Sequence, residues 1–308
     1  MVGRIFKFFN RYFMKRRREF LKTLGLGALG ISLLPFEVWA AEKEMFFQIS
    51  LAEWSLHRTL RSGKMTNMDF PETARRYGIE GIEYVNQFFK DKAQDFTYLK
   101  ALKQRSEDQG VKNVLIMVDG EGNMADVEKK VRDKAVENHY KWVEAAKFLG
   151  CHSIRINTAG KGTEEEMKAA AVDSLGRLSE FGKKHGIGVI VENHGNISSN
   201  GKWLSSVLSE VNMENCGSLP DFGNFYDYDR YQGVQEMMPF AKGVSAKSHD
   251  FNENGEETTI DYHRMLKIVK DAGYKGWIGI EYEGKQLSED DGIKATKRLL
   301  EKVGKELG

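Results

Sequence analysis

Four residues able to bind a metal or move a proton stand at or near the ends of apolar runs. Glu192 closes Gly188-Val189-Ile190-Val191-Glu192, with Asn193-His194-Gly195 following. Asp221 closes Cys216-Gly217-Ser218-Leu219-Pro220-Asp221, His249 closes Gly243-Val244-Ser245-Ala246-Lys247-Ser248-His249, and Glu281 closes Trp277-Ile278-Gly279-Ile280-Glu281. Three carboxylates and an imidazole gathered at one point make a hard, anionic site suited to one divalent ion, Mn²⁺, Mg²⁺ or Co²⁺, with open positions for substrate oxygens. Such an ion can clamp a carbonyl and a neighbouring hydroxyl and stabilise the enediolate formed when the proton between them leaves. Glutamates on separate strands, Glu192 and Glu281, then supply bases, each worth about 10²–10⁴-fold as a general acid or base.

Positioning these groups requires parallel strands that end together. Strand-like runs recur at Met45–Leu56, Gly78–Val85, Lys112–Asp119, Cys151–Thr158, Gly188–His194, Cys216–Gly223, Gly243–His249 and Gly276–Glu283. Amphipathic helical stretches lie between them, clearest at Asp126–Leu149, Glu164–His185, Tyr262–Ala272 and Asp290–Lys305. Eight such units in one uninterrupted series predict a (β/α)8 TIM barrel over residues 41–308, with its chemistry at the carboxyl ends of the strands. Because successive strand residues face opposite sides, Ile190, Glu192 and His194 share one face, as do Gly279, Glu281 and Glu283, Leu219 and Asp221, and Ser245, Lys247 and His249. Small residues low and ligands high describe a barrel interior.

Composition limits the partners. The chain has 308 residues, 41% hydrophobic and 30% charged, enough for one large α/β domain. Formal net charge is +1, but eight Lys/Arg fall in residues 1–40, leaving 38 basic against 43 acidic residues in the body. That balance disfavours nucleic acid as a partner. Cys151 and Cys216 lie in separate strand-like runs and are expected as buried free thiols.

Residues 1–40 read as an extension and signal rather than as fold. Lys15-Arg16-Arg17-Arg18-Glu19-Phe20-Leu21-Lys22 precedes a mildly apolar stretch, Thr23–Leu34, and Val38-Trp39-Ala40 offers a cleavage site after Ala40. The run resembles a twin-arginine export signal, which implies a periplasmic protein. Twelve residues with three glycines are too short to span a bilayer of about 30 Å, so no stable membrane span is expected after cleavage.

From about Phe46 onward the sequence resembles the xylose isomerase-like TIM barrels, the sugar phosphate isomerase/epimerase superfamily. The motifs are Val-Glu-Asn-His-Gly at Glu192, Pro-Asp-Phe-Gly-Asn at Asp221, Lys-Ser-His-Asp at His249 and Gly-Ile-Glu-Tyr-Glu-Gly at Glu281. The resemblance implies one divalent metal held by Glu192, Asp221, His249 and Glu281, with Glu192 and Glu281 on opposite faces of the reacting carbon. On the seventh strand many relatives carry the ligand about three residues before an aspartate, a spacing that falls on Lys247. Either His249 binds the metal with Lys247 beneath it, the preferred arrangement, or Lys247 replaces the ligand and the site is altered or metal-free. A protonated lysine cannot ligate.

Other residues are expected to line the substrate site: His57 after the first strand, Glu83 at the end of the second, Asn157, His194, Asn224, Tyr226 and Lys247. Glu83 has a second reading, slightly preferred, as the partner of interior Arg155. The expected function is a metal-dependent isomerase or epimerase acting on an unphosphorylated keto-sugar. A lyase or dehydratase on a keto-sugar or keto-glycoside would use the same bases, and a sugar-binding barrel without catalysis is the third reading. Oligomeric state is not legible.

Overall fold

The eight expected strands form in the computed structural model of the protein, in which residues 44–308 are described. The twin-arginine stretch, the cleavage site at Ala40 and the expected domain boundary beside it lie outside the described residues. The strands are β1 Gln48–Ala52, β2 Gly81–Val85, β3 Lys112–Met117, β4 Ser153–Ile156, β5 Gly188–Glu192, β6 Cys216–Leu219, β7 Val244–Ser248 and β8 Trp277–Tyr282. The main crossover helices are α1 Phe70–Arg76, α2 Phe96–Asp108, α3 Lys129–Leu149, α4 Glu164–His185, α5 Gly201–Val211, α6 Arg230–Met237, α7 Tyr262–Asp271 and α8 Glu289–Leu307.

All paired strands are parallel, in the order β6-β5-β4-β3-β2-β1-β8-β7. The remaining seam, between β6 and β7, is joined by two isolated parallel bridges, Ser218 with Ala241 and Asp221 with Ser245. Ser245 N donates to Pro220 O at 2.9 Å, and Phe222 N donates to Ser245 O at 3.1 Å. A nearly closed (β/α)8 barrel results. Its loosest seam lies beside Asp221.

Alternation along the strands divides the core in two. Ile278, Ile280 and Tyr282 of β8, with Val189 and Val191 of β5, point outward into a large cluster packed against the helices. Leu115, Met117, Ile190 and Leu219 point inward and, with Ala52, Val85 and Val114, plug the barrel. These apolar layers form the floor of the site. Cys151 and Cys216 are free and buried, as expected.

The strands end earlier than their apolar runs, for identifiable reasons. After β1 the chain turns through Glu53–Leu56. There the Glu53 carboxylate accepts hydrogen bonds from Asn67 Nδ2 at 2.7 Å and Val85 N at 2.9 Å. After β5, Asn193 exchanges two hydrogen bonds with the backbone of Asp221, at 3.0 and 2.8 Å, and Gly195 turns the chain at φ +81°. The stretch Ala159–Thr163 is a turn: Thr163 caps α4 in a capping box with Glu166. Among the described residues no helix is long and apolar enough to cross a membrane.

Candidate active site at the carboxyl end of the barrel

Parity brings Glu192, Asp221 and Glu281 together: one oxygen from each lies within 4.8 Å of the others, and all three residues are buried. This acidic triad could bind a metal ion. The Asp221 carboxylate is anchored by its own loop, accepting from Gly223 N and Asn224 N at 2.8 Å each and from Ser245 Oγ at 2.7 Å. Asn224 Nδ2 donates to Glu192 Oε1 at 3.0 Å, so the Pro-Asp-Phe-Gly-Asn turn holds two of the three acids.

Two buried cations meet the triad. Lys247 Nζ lies 2.5 Å from Glu281 Oε1, 3.2 Å from Glu283 Oε1 and 3.8 Å from Asp221 Oδ2. On the other side Arg155 Nε lies 2.8 Å from Glu192 Oε2, an ion pair out of line for a hydrogen bond, while its Nη1 donates to Asp119 Oδ1 at 2.6 Å. Asn157 Nδ2 also donates to Asp119 Oδ1, at 2.8 Å, and so holds the Arg155–Asp119 pair rather than standing free.

These charges shift one another. Burial opposes the Lys247 ammonium, but Asp221, Glu281, Glu283 and Glu192 outweigh it and hold the lysine well above its ordinary pKa. Burial pushes Glu192 well above the ordinary carboxylate range against the pull of Arg155, with Glu281 and Asp221 adding to the rise. Asp221 is raised by burial too, against Lys247. At Asp119 burial works upward, but Arg155 brings the carboxyl down to about 2.

The remaining expected residues separate. His249 stands half-buried at the rim, outside the triad; its backbone N–H donates to Glu257 Oε1 at 3.1 Å. The seventh-strand side chain directed into the triad is Lys247. His194 is exposed at the mouth, beyond the end of β5. Tyr226 is exposed, its ring edge beside Gly195, whereas Phe225 is buried and Tyr231 accepts from Asp261 N. His57 stacks on Trp54 with ring centres 5.1 Å apart and holds the Trp54 carbonyl at 2.7 Å.

Glu83 does not pair with Arg155. Arg155 is paired with Glu192 on the adjoining strand and with Asp119, and Glu83 points down over Gly279, where an added Cβ would meet its oxygens at 2.5–2.6 Å. There it accepts from Ser50 Oγ at 2.6 Å, and burial pushes its carboxyl up to about 7. It lies beneath the triad, not in the mouth.

Asp119 and Glu283 join the network in roles that the sequence did not assign to them, and Glu53 is a buried acid apart from it. Asp119 closes the third apolar run as Glu192 closes the fifth, and that signal was present. Glu283 shares the inward face of Glu281 and accepts from Trp54 Nε1 at 2.5 Å. Buried Glu53, pushed up to about 8 by burial, carries no motif that distinguishes it from a surface glutamate.

As donors the three carboxylates suit a hard divalent ion. The residues as arranged do not fit one: an ammonium already occupies the space between Glu281 and Asp221, and a second cation there would face it at short range without intervening water.

Similarity to known proteins agrees with the architecture. The chain is 34% identical over 59 residues to the 3'-dehydrocarminate deglycosidase alpha subunit of a Microbacterium species, covering 19% of this chain and 17% of that one. Less than a fifth of that relative's length is therefore spanned. Among solved structures, the IolI protein with a bound zinc atom superposes with a TM-score of 0.69 at 16% identity, covering 84% of this chain and 99% of that one. L-ribulose 3-epimerase gives a TM-score of 0.66 at 15% identity, over 85% and 95%. At such identities they share the fold. The family model described as xylose isomerase-like TIM barrel matches residues 71–303, most of the chain, and the protein belongs to that family.

Proposed function

We propose that the protein is an enzyme that removes the proton from the carbon next to a carbonyl in an unphosphorylated keto-sugar and returns it elsewhere, as an epimerase or isomerase. The observation that carries this reading is the placement of two buried glutamates, Glu192 and Glu281, against two buried cations at the carboxyl end of the barrel. A base in so desolvated a setting gains basicity, as Glu192 does, and a nearby cation favours the negative oxygen that forms as the proton leaves.

In this scheme Glu192 and Glu281 exchange the proton with the substrate carbon, one taking and one returning it. Asn224 orients Glu192, and Asp221 with Ser245 fixes the wall between them. Exposed His194 and Tyr226, with His57 and Trp54, stand at the rim for sugar hydroxyls and ring faces.

A second reading is favoured by the relative that is a 3'-dehydrocarminate deglycosidase subunit: the same proton removal followed by loss of a β-substituent from a keto-glycoside. Both readings place the substrate outside the cytoplasm, where the twin-arginine stretch would deliver the enzyme and phosphorylated sugars are not a normal pool. Incubation in D₂O with keto-sugars and keto-glycosides tests both. Deuterium at the carbon beside the carbonyl supports proton removal, release of the aglycone identifies elimination, and no exchange or product with any member of the panel overturns the enzymatic reading.

A further inference from the structure

Lys247 is built into the site rather than resting in it. The residue is 2% exposed, and the register of β7 on β8 sets it directly beside Glu281, while the bridge between Asp221 and Ser245 closes the other side. Gly223 leaves the space its stem occupies: a Cβ there would lie 2.4 Å from Lys247 Cγ and 3.0 Å from its Cβ. Behind it the buried hydroxyl of Tyr262 donates to the backbone carbonyls of Ala246 and Lys247, at 3.1 and 2.9 Å. Close packing against Gly223 and the ion pairs to Glu281 and Glu283 hold the ammonium in place.

Charge balance leads to the same place. Glu192 has Arg155 as its counter-ion, and Asp221, Glu281 and Glu283 converge on Lys247 Nζ. Without that ammonium buried Asp221 and Glu281 and half-buried Glu283 would face one another, which is the situation a metal ion would otherwise relieve.

We propose that the Lys247 ammonium is the resident cation of this site and takes the place of a divalent metal. It holds Asp221, Glu281 and Glu283 together in the resting protein. The second half of the inference rests on the proton-removal reading: as a glutamate takes the proton from carbon, the C–H pair becomes the C=C bond and the carbonyl π pair moves to oxygen. The ammonium then donates a hydrogen bond to that oxygen. When the proton returns to carbon the pairs move back, so nothing is consumed.

Metal binding, which needs no substrate, tests the first half separately from the reaction. The full chain is purified without chelator, its metal content is read by mass spectrometry, and Mn²⁺ is titrated calorimetrically into wild type, Lys247→Met and Lys247→His. Expected are substoichiometric metal in wild type, a melting temperature unmoved by EDTA, and Mn²⁺ binding tightened by about tenfold or more in both variants as the competing charge is removed. One equivalent of tightly held metal in wild type, a melting temperature lowered by EDTA, or Mn²⁺ affinity that stays equal or falls on replacing Lys247 would each overturn the proposal. The wild-type measurements decide it even if the variants do not fold. A metal-free wild type with no exchange on any keto-sugar would leave the resident cation standing and remove only the reaction.

Discussion

Arg155 Nε and Glu192 Oε2 stand 2.8 Å apart on neighbouring strands, both buried, so the proposed base carries its own counter-ion. Breaking a buried pair from one side leaves an uncompensated charge. Arg155→Met is therefore expected to cost about 3–5 kcal/mol in urea denaturation. The double variant Arg155→Met with Glu192→Gln should recover part of that loss. If the two costs simply add, the pair is not coupled.

Glu192→Gln and Glu281→Gln keep the shape of each side chain and remove its basicity. With a confirmed substrate, each should lose kcat by about 10²-fold or more while KM changes little, and solvent exchange at the carbon beside the carbonyl should fall in parallel. Exchange at the wild-type rate in both variants would remove the two-glutamate mechanism.

Tyr226 is 72% exposed, so Tyr226→Ala should leave stability within about 0.5 kcal/mol of wild type. As a rim contact, it should raise KM more than it lowers kcat. The reverse pattern would place the tyrosine in the chemistry itself.

Glu83 gives a pH dependence of defined sign. Burial lifts its folded-state pKa to about 7, above the ordinary 4.5, so between these values the folded protein holds more protons than the unfolded chain. Its contribution to stability is complete below about pH 4.5 and is lost as pH rises through about 7. In Glu83→Gln the amide oxygen can keep the hydrogen bond from Ser50 without a charge. The variant should match wild type near pH 4.5 and gain on it toward pH 8, by no more than about 3 kcal/mol. Parallel stability curves would place the titration elsewhere.

Export is tested on the native protein. N-terminal sequencing of material from the cell envelope should begin near Ala41, following Val38-Trp39-Ala40. An intact Arg16-Arg17-Arg18 on a cytosolic product would contradict the periplasmic assignment.

The sequence by itself determined the barrel and the inward face of its strands, because runs such as Val189-Ile190-Val191 and Ile278-Gly279-Ile280 suit strands buried on both sides, their alternation with helical stretches selects a parallel sheet, and a two-residue period then assigns the side chains. That logic placed Glu192, Asp221 and Glu281 on one interior. It did not distinguish Lys247 from His249, which share a parity and differ in height. The tertiary structure separated them: β7 ends at Ser248, so His249 leaves with the loop, while Gly223 on the neighbouring turn opens the space that Lys247 fills. Partner choice among buried charges was likewise decided in three dimensions. Arg155 pairs with Glu192 and Asp119, and Glu83 turns down over Gly279, because an ion pair depends on the few ångströms between strand neighbours and on an absent side chain opposite, neither of which is carried by one strand's pattern.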